Sequence, residues 1–177
     1  MKLGKSESIN KIFFSLAFTV VFFISGAFAP GIGADNKGFI CADLLFAMSI
    51  VAGVLYENTV SASVIALIFG VISDVFITPP MHLSPLLFFL AAYFVSRLAG
   101  VFTAVNAVSA TVASIPFFLV RAVVGTVYIL SENDETELVS VIGQTILPEL
   151  AVNVASVFVV YILVSFLYKK VKKRFYV

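Results

Sequence analysis

Apolar residues in this chain come in long blocks separated by short polar stretches. Residues 1–11 are polar and carry Lys2, Lys5 and Lys11, and 12–29 is an unbroken apolar run. A Gly-rich polar turn at 30–37 leads into apolar residues 38–55, a short turn at 56–59, and a third apolar block at 60–77. Residues 78–84 hold Pro79, Pro80 and the single histidine, His82, before a fourth block at 85–98 that ends near Arg97. Two longer blocks follow, to about 130 and over 138–167, separated by an acidic loop with Glu132, Asp134, Glu135 and Glu137. Since about 20 apolar residues cross a bilayer as a helix, the pattern predicts an all-α polytopic membrane protein with six spans. They fall at about 12–29, 38–55, 60–77, 85–98, 103–130 and 138–167, in a single integral membrane domain over 1–177. The fifth block is long enough to break near Pro116 into two half-spans, and Pro148 is placed to kink the sixth.

The first block has a rival reading as a cleaved signal peptide, because Ala27-Phe28-Ala29 has the small-x-small form of a cleavage site. Its apolar run exceeds the usual signal core of about 7–15 residues, so a retained span is expected.

Composition agrees with the pattern. The chain is 61% hydrophobic with mean hydropathy +1.12, against about 45–50% apolar in soluble domains. One cysteine, Cys41, makes neither a disulfide framework nor a metal motif. The distribution of charge is more informative than its total. Lys2, Lys5, Lys11, Arg97, Lys169, Lys170, Lys172, Lys173 and Arg174 fall on one side of a six-span chain. That side is read as the cytoplasm, which puts both termini inside. Seven spans would put the basic tail outside.

Four ionisable residues are expected inside the spans, where each is costly unless paired. From the rise of 1.5 Å per residue, Asp43 and Asp74 lie roughly 7 and 5 Å below the outer surface, on adjacent antiparallel helices. They are placed to share a polar cavity. Arg121 and Glu149 lie roughly 13–17 Å deep, and an ion pair between them is expected, extended by Asn153 one turn on. The pair serves as a structural lock on helix register or takes a direct part in function. Ala62, Ala66, Gly70 and Asp74 recur every fourth residue on one face of the third span. Small residues at this spacing allow close helix approach, either by a neighbour within the chain or by a helix of another protein.

No P-loop, GxSxG, HExxH or Cys/His cluster occurs. No nucleophile accompanies the carboxylates, so an enzyme is disfavoured, and neither a metal nor a cofactor is expected. No nucleic-acid partner is expected. The basic tail is a topology anchor or a contact for anionic lipid.

Ala42-Asp43-Leu44 opens the second span, Gly70-Val71-Ile72-Ser73-Asp74 closes the third, Ala92-Tyr93 sits in the fourth, and the sixth runs into Lys169-Lys170-Val171-Lys172-Lys173-Arg174. In this layout the chain resembles the MreD family of rod shape-determining membrane proteins. Pro79, Pro80 and Pro85 stand where the family's loop is often richer in Gly, and the acidic 132–137 loop is not a family hallmark. The resemblance implies a fold similar to the six-helix substrate-binding subunits of energy-coupling-factor vitamin transporters. It also implies a non-catalytic role, binding of the bitopic protein MreC, and indirect contact with MreB, RodA and a class B penicillin-binding protein. On that basis Ala62, Ala66 and Gly70 are the expected docking stripe for a partner helix. The alternative is a solute-binding subunit of the vitamin-transporter type, with a pocket near Asp43, Asp74 and Arg121.

Overall fold

A computed structural model describes residues 2–28, 43–76, 83–99, 106–132 and 146–175. These form six helices: α1 (Lys2–Phe28), α2 (Leu44–Leu55), α3 (Thr59–Phe76), α4 (Ser84–Ala99), α5 (Ala107–Glu132) and α6 (Leu147–Phe175). By length and composition α1, α3, α5 and α6 can each cross a membrane, while α2 and α4 are shorter apolar helices.

The helix ends differ from the apolar blocks for identifiable reasons. α1 begins well before its apolar run, helped by the Glu7–Lys11 pair at 3.0 Å, one turn apart on the helix. α6 continues past its apolar part through the basic tail. Lys and Arg are good helix formers, and their charge complements the negative C-terminal end of the helix dipole. α5 passes through Pro116 as one helix, so no break into two half-spans occurs there. α2 is shorter than its apolar block because Asp43 caps it, with Oδ1 accepting the Phe46 backbone N–H at 2.9 Å. Residues 38–42, Pro79, Pro80, His82, Cys41 and most of the acidic loop lie outside the described residues.

α2 is the central helix. It packs against all five others, and Leu45 through Gly53 is buried without interruption. A helix apolar all round is a helix with neighbours on every side. One apolar cluster draws on all six helices, with Phe14, Phe18, Phe46, Phe88, Phe118 and Val157 among its buried members. The outward faces are apolar too: Leu16, Val71, Leu119 and Leu163 are all exposed. Such a surface suits lipid rather than water.

The buried polar groups are mostly satisfied within their own helices. Ser49, Ser63, Ser114 and Ser156 each donate to a backbone carbonyl three or four residues earlier, at 2.6–2.8 Å. The close pairing of α3 with α4, and of α2 with α4, rests on small residues. A Cβ on Gly70 would stand 2.7 Å from the Pro85 Cα, and one on Gly53 would stand 2.5 Å from the Ala92 carbonyl oxygen. Ala62 and Ala66 are fully buried. The small-residue stripe expected to receive a helix of another protein is therefore occupied, at Gly70, by the chain's own α4, which comes too close there to leave room for a side chain.

Candidate functional site: an intramembrane ionic cluster

Asp43, Arg121, Asn153 and Glu149 come together where the start of α2 meets the middle of α5 and the first turns of α6. Asp43 uses its two carboxylate oxygens separately. Oδ1 caps α2, and Oδ2 forms an ion pair with Arg121 Nη2. The Asp43 backbone N–H donates to Asn153 Oδ1 at 2.7 Å. This consumes a donor that the start of any helix leaves without an intrahelical acceptor. Glu149 lies within electrostatic reach of Arg121 and Asp43.

The cluster is shielded. Only 11% of the Arg121 side chain and 13% of the Asp43 side chain are exposed. The guanidinium carbon stands 5.1 Å from the Phe46 ring centroid and 5.8 Å from that of Phe88. Among the described residues, Nη1 is buried without a hydrogen-bond acceptor, and the two ring faces add a weaker attraction to the guanidinium beside its pairing with Asp43. Two carboxylates and one guanidinium share this region, and the direct contact goes to Asp43.

The expected pairing of Arg121 with Glu149 is thus corrected: the carboxylate in contact with Arg121 is that of Asp43. The depth argument behind the expectation set Asp43 near the outer surface. The contact with Arg121 instead places the Asp43 carboxylate level with the middle of α5. Asn153 does join the network, through the Asp43 backbone. Asp74 is not among the partners of Asp43, Arg121, Glu149 or Asn153. Among the described residues, its Oδ1 is buried without a hydrogen-bond partner.

A second polar set gathers the opposite end of the bundle. The Tyr168 hydroxyl donates to Asn10 Oδ1 at 3.0 Å in a buried contact between α6 and α1. Lys172 pairs with Glu57 in the turn between α2 and α3. Glu7 accepts from Ser61 Oγ at 3.2 Å and from Asn58 Nδ2 at 3.4 Å, and Thr59 meets Ser96 at 2.8 Å. These contacts place the start of α1, the α2–α3 turn, the end of α4 and the end of α6 on one side. None of the residues in this set was singled out from the sequence as more than a positive flank. The two-sided signal available was the polar turn Glu57-Asn58 and the basic tail, which the odd–even alternation of six helices brings to one end.

No group of three or more His, Cys, Asp or Glu side chains able to hold a metal occurs among the described residues. A family model described as rod shape-determining protein MreD matches residues 6–171. None of the curated proteins and none of the solved structures matches the chain.

Proposed function

The chain belongs to the MreD family of rod shape-determining proteins, and on that premise we propose that it is a non-catalytic membrane subunit of the bacterial cell-wall elongation machinery. In this reading it binds an MreC-like bitopic protein. Through that protein it supports MreB filaments, the RodA glycosyltransferase and a class B penicillin-binding protein, and so helps to control peptidoglycan synthesis and cell shape. All six helices form one integral domain in the inner membrane, with α2 and α4 lying inside the layer as shorter elements. Both termini face the cytoplasm. The positive-inside rule supports this, because the end of the bundle holding the start of α1, the end of α4 and the end of α6 carries nine of the eleven Lys/Arg.

One observation carries the reading: Asp43 and Arg121 are turned inward onto each other, while the outer faces of α1, α3, α5 and α6 present apolar side chains. A protein so divided offers other proteins an apolar helical surface within the membrane. The ionic cluster then serves as an internal frame that keeps that surface in shape, and Asp74 marks a polar end of α3. Gly70, in the stripe with Ala62 and Ala66, lets α4 approach closely.

The test is a mild-detergent pull-down of the tagged chain from its native membrane, with partners identified by mass spectrometry. Recovery of an MreC-like protein or the elongation synthase is expected. Recovery of an ATPase pair with its coupling subunit, or of a bound vitamin, would overturn the proposal in favour of a transporter subunit.

A further inference from the structure

α6 carries a second message on its outer face. Its 29 residues make a helix about 43 Å long, more than the roughly 30 Å of a hydrocarbon core. Phe158, Val159, Ile162, Leu163, Phe166 and Leu167 are exposed along it. At 100° per residue these six fall within an arc of about 180°. Lys169, Lys170, Lys173 and Arg174 are exposed as well, and their arc of about 140° lies inside the same sector. The four cations therefore continue the apolar stripe end to end. Lys172 is turned about 130° from the middle of that arc, toward the bundle, and it pairs there with Glu57. Lys170 Nζ stands 4.7 Å from the Phe166 ring centroid, which ties the last apolar turn to the first basic one.

We propose that this ridge is a binding site for an anionic phospholipid. One acyl chain lies along the apolar stripe, and the phosphate of the headgroup lies against Lys169, Lys170, Lys173 and Arg174. The arrangement favours lipid over an acidic protein segment, because one face is apolar over 158–167 and basic over 169–174, which matches an acyl chain joined to a phosphate. Among the described residues, none of the four cations forms an ion pair within the chain. The buried face of α6, with Val157, Val160, Val164 and Tyr168 in the core, fixes its rotation, so the cations are held on the outward side rather than distributed by chance. The site belongs to whichever leaflet meets this end of the bundle, and it requires no protein partner.

The experiment uses the intact protein, extracted in mild detergent with equimolar phosphatidylglycerol and phosphatidylcholine, and reads retained lipids by native mass spectrometry. The wild type is expected to retain phosphatidylglycerol at least about fivefold over phosphatidylcholine. The variant K169Q/K170Q/K173Q/R174Q is expected to show no preference, while K172Q keeps it. Should the quadruple variant fail to insert, the wild type at about 0.5 M salt replaces it, and the preference is expected to fall as exposed charges are screened. A wild type with equal retention of both lipids, a preference that survives in the quadruple variant, or one that survives high salt would overturn the proposal.

Discussion

Arg121 reaches from the middle of α5 to the carboxylate of Asp43, the residue that caps α2. One oxygen of Asp43 begins the central helix and the other fastens a second helix to it. Its own backbone N–H fastens a third through Asn153. A single residue therefore sets where α2 starts and which helices surround that start. This explains why a carboxylate and a guanidinium are tolerated where each alone would be costly.

Removing one partner of this pair should cost far more than removing both. Arg121→Met leaves the Asp43 carboxylate buried beside Phe46 and Phe88, and we expect a loss of about 3–5 kcal/mol. Asp43→Asn keeps an oxygen for the Phe46 N–H but strands the guanidinium, and we expect a similar loss. The double variant should recover much of either loss, giving a strong coupling in a double-mutant cycle measured by unfolding in mild detergent. A parallel cycle with Glu149→Gln and Arg121→Met should give a weaker coupling. A coupling to Glu149 that exceeds the one to Asp43 would reassign the ion pair.

Asn153 supplies the link between α6 and α2, and its contribution can be separated from that of the charges. Asn153→Leu keeps the volume but leaves the Asp43 N–H without an acceptor. We expect a loss of about 1–3 kcal/mol. Hydrogen exchange at the Asp43 amide should rise in the variant, while exchange in the middle of α2 should change much less. Unchanged protection at Asp43 would remove this bond from the account.

Much of this arrangement is legible in the amino-acid pattern, and the part that is not has a common cause. Six apolar blocks correspond to six helices among the described residues, and Gly70 of the small-residue stripe lies at a close crossing with α4. Block length reports hydrophobicity, however, and helix length also depends on capping. Asp43 immediately before an apolar run is an N-cap signal, and reading it only as a charge in a span extends α2 too far toward the outer surface. Depths counted from block ends also assume that those ends lie in one plane; the contact with Arg121 shows that they do not for α2 and α5, so Asp43 comes out too shallow and Glu149 looks like the nearest acid to Arg121. Loop connectivity favours that choice as well, since α5 and α6 are consecutive. Partners between helices distant in sequence, such as Asn10 with Tyr168 or Glu57 with Lys172, leave no periodic trace.

The glycines at the α4 contacts give a steric test. A Cβ at Gly53 would lie 2.5 Å from the Ala92 carbonyl oxygen, and one at Gly70 would lie 2.7 Å from the Pro85 Cα. Both neighbours are backbone atoms, so the helices must move apart to admit even alanine. Gly53→Ala should destabilise by about 1–3 kcal/mol, and Gly70→Ala by a similar amount. The comparison variant is Val64→Ala, on the exposed side of α3 and away from these crossings, for which a small change is expected. Purification yield and detergent melting would read the difference. A Gly53→Ala protein as stable as the wild type would show that α2 and α4 lie further apart than described.

Two contacts at the opposite end of the bundle differ in burial, and burial should decide their worth. The Tyr168 hydroxyl and Asn10 form a buried bond between α6 and α1. Tyr168→Phe removes the donor and strands the Asn10 side chain, so a loss of about 1–3 kcal/mol is expected. Changing Asn10→Leu as well removes the stranded group, and the double variant should be little worse than Tyr168→Phe alone. The Lys172–Glu57 pair is more exposed, with 38% and 60% of the side chains accessible. Screening and side-chain entropy reduce such a pair to about 0–1 kcal/mol, so Lys172→Gln should shift the melt only slightly, and less at high salt. The ranking is the test. If Lys172→Gln proved more damaging than Tyr168→Phe, the exposed charges rather than the buried hydroxyl would be what joins α6 to the start of the chain.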